Sequence, residues 1–240
     1  MSNELMKLKG GELSADIMAK LNAITESERD RIGSYGGGDV VSVNNGKKVF
    51  ITPKEQELTE FEAHIVDFAY RNEYYIGAYN PKVITPPACF AIAESSALLV
   101  PSDNSPIKQN ETDCATCQQN QFGTSPTGAG KACKNTVILA LLPVDDVENH
   151  DIWVLKTSPT AIRPFNKYAS KISQMNIPLG VVRTRLFFDP DNQDYASIRF
   201  EALGVEADNI DAVMARKAEA TLRLMEEPDV SQFEMPKANK

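Results

Sequence analysis

Four cysteines carry the densest chemistry in this chain. Cys114-Ala-Thr-Cys117 is a C-x2-C pair; Cys133 follows it after 15 residues and Cys89 precedes it by 24. The segments between them, PSDNSPIKQNETD and QQNQFGTSPTGAGKA, are polar and rich in Gly and Pro, with almost nothing to bury. Such a segment stays disordered unless something ties it down. Four thiolates around a tetrahedral zinc would do that, and the spacing matches zinc ribbons and knuckles. Metal binding then supplies folding free energy. A closed set of four thiolates leaves no open coordination position, so the expected Zn2+ is structural and speaks for no catalysis. The competing reading is a redox C-x2-C pair with two buried free cysteines. A redox pair normally opens a helix in a thioredoxin-like strand–helix context, which is missing here.

Nothing else assembles into a reaction centre, and no enzyme is expected. The two histidines, His64 and His150, lie far apart without a nucleophile or ligand partner in sequence. TGAGKAC at 127–133 imitates the end of a phosphate-binding loop, but Ser125 stands where that motif needs Gly, and Ala132 where it needs Ser or Thr. Asp145 and Asp146 follow Pro143 in what reads as a solvated turn.

The formal net charge is −8, which on its face argues against nucleic acid. Its distribution argues otherwise. Segment 1–46 carries −2 and segment 201–240 carries −4. From Ile152 to Phe188 there are 37 residues with no Asp or Glu and six bases: Lys156, Arg163, Lys167, Lys171, Arg183 and Arg185. Trp153, Phe165, Tyr168, Phe187 and Phe188 are interleaved with them. Cations that track phosphates and aromatic faces that stack bases are what single-stranded nucleic acid requires. Arg183 and Arg185 share one face of a strand, and Lys167 and Lys171 one face of a helix. Tyr74 and Tyr75, near Arg71 and Lys82, form a smaller cluster of the same kind. The bland alternative is a solvated basic face over core aromatics. For Trp153, Phe187 and Phe188 taken singly, core is the stronger expectation.

Several elements must position these residues. Leu13, Ile17, Leu21 and Ile24 give an apolar stripe to a helix over 12–31, followed by the Gly-rich arm GSYGGGD at 33–39. Asn44-Asn45-Gly46 joins VVSV and KKVFI as a hairpin. Strand-like runs follow at 63–70, 73–79, 89–94, 136–143, 151–157, 180–189 and 195–203. Helices are expected from about 162 to 176, with Ser158 or Thr160 as cap, and from about 208 to 227. Strands and helices do not alternate regularly, so the fold class is α+β, mostly antiparallel, as a barrel or sandwich. The division expected is an N-terminal helix and arm (1–46), a core (47–205) with a zinc-binding insertion at about 89–134, and a C-terminal helix with a flexible tail (206–240). No window approaches the roughly 18 apolar residues of a membrane span, and the start lacks a secretory h-region. A cytoplasmic protein is expected, one in which structural disulfides are rare.

Two stretches, PPACFAIAE…CATCQQNQFGT…GAGKACKN and LKTSP…FNKY…IPLGVVRTRL, resemble segments of tailed-phage proteins. They are similar to bacteriophage single-stranded DNA-binding proteins of the OB-fold kind with a four-cysteine zinc insertion. The likeness covers about residues 60–205. It is most specific in Cys89, Cys114, Cys117 and Cys133 and in Asn120, Phe122, Gly123, Gly130 and Lys131. The resemblance implies an OB-fold-like barrel, a structural zinc, and binding of single-stranded DNA in phage replication or recombination, without catalysis. The host-cell cytoplasm is then the place of action, and replication or recombination proteins and self-association are the expected protein partners. Lys131 joins Lys156, Arg163, Lys167, Lys171, Arg183, Arg185, Trp153, Tyr168, Tyr74 and Tyr75 as an expected nucleic-acid contact. The second expectation is a protein-interaction module, such as a recombination directionality factor, that uses zinc only as a staple.

Overall fold

The computed structural model describes residues 39–77, 85–126, 128–145, 147–148, 150–192 and 194–235. The chain divides into residues 1–37 and a compact unit, 38–240. The expected helix over 12–31 and most of the Gly-rich arm lie outside the described residues, as does Lys82.

The compact unit is α+β, with nine mostly antiparallel strands in one sheet that curls as a half-barrel. Its strands are β1 (Val40–Asn44), β2 (Val49–Ile51), β3 (Glu57–Leu58), β4 (Glu60–Tyr74), β5 (Cys89–Ala93), β6 (Cys133–Pro143), β7 (Trp153–Lys156), β8 (Val182–Phe188) and β9 (Ile198–Val205). Their order is β3-β2-β1-β7-β6-β4-β8-β9, with β5 paired to β4. Residues 40–44 thus belong to the sheet. The expected hairpin forms β1 and β2: Asn44 Oδ1 accepts from the Lys47 amide at 3.1 Å, and Lys48 takes a left-handed φ of 53° to close the turn.

β4 is the spine. The two runs at 63–70 and 73–79 were separated in sequence by Arg71 and Asn72. They form one strand of 15 residues as far as Tyr74, because the polar middle finds partners. Asn72 accepts from Asn135 Nδ2 at 2.5 Å, and Glu73 takes ion pairs from Lys156 and Arg71. One edge of β4 carries β6, from Ala63↔Pro143 to Tyr74↔Cys133. The other carries β8 over residues 60–64 and β5 over residues 70–74. Between them the 3-10 turn Leu179–Val181 lies against a bulge at Val66. Gly180 packs closely there: a Cβ would sit 3.4 Å from the Val66 carbonyl oxygen, at van der Waals contact.

Both faces of the sheet are covered. On one, Ile65, Val137, Leu139, Leu141, Leu155, Val182 and Leu186 pack against helix α1 (Ile162–Gln174) through Phe165, Tyr168 and Ile172. These helix positions fall at spacings of three and four, which makes the buried stripe. Neither expected hydroxyl caps α1. Ser158 and Thr160 bond each other at 2.7 Å, and a 3-10 turn over Pro159–Ala161 leads into the helix. On the opposite face, Val66, Ala69, Ile138, Ala140 and Leu142 pack against Val213, Ala220 and Leu224. These come from helices α2 (Ile210–Ala215) and α3 (Lys217–Leu224), which were expected as one helix. Arg216 marks the break; its guanidinium donates to the carbonyls of Glu148 and His150 at 3.3 and 3.0 Å and pairs with Glu219. Among the described residues no helix is long and apolar enough to cross a membrane.

Candidate nucleic-acid interface and cysteine cluster

The sheet gathers the four cysteines. Cys89 opens β5 and Cys133 opens β6, and both stand in register with Tyr74 on opposite edges of β4. The insertion between these strands returns Cys114 and Cys117 to the same place. Ile107 N donates to Ala88 O at 2.8 Å, Cys114 N to Leu99 O at 3.0 Å, and Asn120 Nδ2 to Cys114 O at 2.7 Å. Ser105 Oγ ties the loop to β5, accepting from Phe90 N and donating to Phe90 O. All four thiols are buried and free of disulfides, and they line one cavity of about 10 Å³ with Asn72, Tyr74, Phe90 and Asn120. That is room for a single atom or water. Burial, and then the neighbouring sulfurs, push the Cys133 thiol up to about 12; burial likewise pushes Cys114 up to about 11. The donor set is that of a thiolate zinc site. As placed, no group of three or more His, Cys, Asp or Glu among the described residues could hold a metal ion.

The basic residues of 152–188 are not brought together. Strand parity sends Lys156, Arg183 and Arg185 to the face of α2 and α3, because Leu155, Val182, Thr184 and Leu186 between them face α1. There each cation meets carboxylates. Lys156 pairs with Glu73, Arg183 with Glu62 and Glu206, and Arg185 with Glu60 and Glu201. The arginines' shared face is as the alternation predicts, but acids from β4, from β9 and from Glu206 just beyond β9 occupy it. Glu206 and Glu62 hold the Arg183 guanidinium above its ordinary range.

The other three bases lie across the sheet. Arg163, Lys167 and Lys171 recur at every fourth position along the exposed side of α1, a helix with no acidic residue. Their side chains have no ion-pair or hydrogen-bond partner among the described residues. The row is about 12 Å long at 1.5 Å per residue.

The aromatics divide similarly. Trp153 is buried against Phe61 and His150, and Tyr168 is buried with its hydroxyl 2.6 Å from Thr184 Oγ1. Tyr74 lines the cysteine cavity, while the more exposed Tyr75 donates to Glu73 Oε2 at 2.9 Å. Lys131 donates to Asn120 Oδ1 at 3.2 Å and sits 5.3 Å from the Phe122 ring centroid. Phe122, absent from the expected contacts, is 81% exposed. Its place in a polar Gly/Pro-rich segment, with nothing apolar nearby in sequence to pack on, was the available signal.

The α1 row and the cysteine insertion lie on the same face of β4. Tyr70 donates to Asn166 of α1 at 2.7 Å, and Asn72 and Tyr74, two and four residues on, line the cysteine cavity. Alternation puts all three on one side, over about 13 Å of strand. Comparison of the chain with known protein families, curated proteins and solved structures returns no match.

Proposed function

We propose that this protein binds single-stranded DNA, largely without sequence preference, in phage DNA replication or recombination in the host cytoplasm. The half-barrel is read as an OB-fold-like core, and the 89–134 segment as its zinc-stapled insertion. Cys89, Cys114, Cys117 and Cys133 would hold the metal, which supplies four strong bonds to a segment that buries little.

The observation that carries this reading is the row Arg163, Lys167 and Lys171, three exposed cations without carboxylate partners among the described residues, in a chain of net charge −8. Phosphates neutralise such a row and release counterion, which favours binding at low salt. Lys156, Arg183 and Arg185 have protein carboxylates as partners and are assigned to holding the sheet. The test is an oligonucleotide titration of the triple variant Arg163→Glu, Lys167→Glu, Lys171→Glu, which should abolish binding that the parent protein shows.

One feature favours the second reading, a protein-interaction module. β9 ends the sheet, and its exposed end carries Leu203 and Val205 at 43% and 44% exposure. An open strand edge is a pairing site for another chain. Wild-type protein that ignores DNA but dimerises or captures a partner through β9 would establish that reading instead.

A further inference from the structure

Phe122 is the most exposed large apolar side chain among the described residues, and the other nine phenylalanines are buried or half-buried. A single exposed apolar residue is ordinary on a protein surface. The frame that holds this one is not. Gln121 Nε2 donates to the carbonyls of Ala115 and Cys117 at 2.9 and 3.1 Å. Thr124 Oγ1 donates to Gln121 O at 2.7 Å and accepts from Ala132 N at 3.0 Å. Gly123 N and Ser125 N both donate to Gly130 O, at 2.9 and 3.0 Å, and Gly123 turns the chain with a φ of 87°. The residues on both sides of Phe122 are therefore fixed, while its ring is left in water.

Lys131 supplies the second half of the arrangement. Its ammonium lies 5.3 Å from the Phe122 centroid and is steadied by Asn120 Oδ1, whose amide nitrogen holds Cys114 O. An exposed ring with one cation beside it suits a nucleotide, which brings a π face for the ring and a phosphate for the ammonium. An apolar protein side chain would cover the ring but strip water from Lys131 without replacing its partner.

We propose that Phe122 and Lys131 form a one-nucleotide docking point at the tip of the insertion. A base stacks on the open face of Phe122, and the adjoining phosphate pairs with Lys131. The proposal rests on the single-stranded DNA reading and assigns the insertion a contact role besides folding.

The experiment is a titration of a short deoxythymidine oligonucleotide into wild type, Phe122→Ala, Phe122→Trp and Lys131→Ala. Metal content and melting midpoint are measured for each. Phe122→Ala should weaken binding about 5- to 150-fold at unchanged metal content and midpoint. Phe122→Trp should keep the affinity and show fluorescence quenching on binding beyond that of wild type, whose single tryptophan is buried. Lys131→Ala should flatten the log–log salt slope by about 0.7. Wild-type affinity in Phe122→Ala, or an unquenched Phe122→Trp, overturns the docking point and leaves the α1 reading standing. A wild-type protein that binds no oligonucleotide overturns both.

Discussion

Glu62 on β4 accepts a hydrogen bond from Nε of Arg183 on β8 at 2.6 Å, and Glu206 accepts from the other end of the same guanidinium at 2.6 Å. These contacts join residues more than 120 and more than 20 positions apart, and both acids lie outside the acid-free window from Ile152 to Phe188. Two residues along β8, Arg185 is held in the same way by Glu60 of β4 and Glu201 of β9. A phosphate at this face would have to displace carboxylates already in place.

Arg183→Ala and Arg185→Ala are therefore expected to leave oligonucleotide affinity unchanged, and to change stability little because the pairs are solvent-screened. Single alanine substitutions at Arg163, Lys167 or Lys171 are expected to weaken binding and flatten the log–log salt slope by about 0.7 each. Titrations at two or more salt concentrations check both statements. A large loss at Arg183 with none along α1 would reverse the assignment of faces.

Much of the fold was legible in sequence. Alternation in VVRTRLFF placed Val182, Thr184 and Leu186 inside and both arginines outside, and the Asn-Asn-Gly turn placed the first hairpin. Other features were not local. Arg71-Asn72 read as a break because the partner of Asn72, Asn135, comes from β6, and the partner of neighbouring Glu73, Lys156, from β7. The acid-free window read as one basic surface because a linear count ignores strand parity and the acids of neighbouring strands. The gathering of the four cysteines was legible, since their spacing implies a common site. The strand start at Cys89 was legible as well, but the extension of β6 back to Cys133 and the pairing of both cysteines with Tyr74 were not.

Tyr168 belongs to the core. Tyr168→Phe should cost about 1 kcal/mol by removing the hydroxyl contact with buried Thr184, and should leave DNA affinity unchanged. Phe165→Ala, which empties a fully buried site under α1, should cost about 3–5 kcal/mol. Denaturant midpoints measure both. Loss of affinity in Tyr168→Phe at normal stability would make this tyrosine a contact.

His64 gives the fold a pH dependence. It is buried, its Nδ1 lies 3.1 Å from Gly180 O, and its Nε2 has no partner among the described residues. Burial lowers its pKa below the ordinary 6.5, and Arg183 nearby adds to this against the opposing pull of Gly180 O and Glu206. The unfolded chain therefore binds a proton before the folded one does. Stability from this group is complete above about pH 6.5 and declines as the pH falls toward the lowered folded value. His64→Gln should flatten that decline in melting midpoints measured from pH 7.5 to 5. An equal decline in the variant would contradict the assignment.

The cysteine cluster is expected to carry about one zinc per chain by elemental analysis. Cys114→Ser and Cys133→Ser should each lose the metal and lower the melting midpoint, as should a strong chelator. Metal-free purified protein with four titratable thiols would remove the zinc and leave the cavity as a cluster of buried thiols.

The central claim is that an acidic protein presents a cationic row on α1 to single-stranded DNA. The most direct measurement is a fluorescence titration of the wild-type protein with a short oligonucleotide at two salt concentrations. Binding is expected at low salt, weakening on a log–log line as salt rises, and lost when Arg163, Lys167 and Lys171 are reversed to Glu. No binding at low salt, or binding indifferent to the reversal, would contradict it.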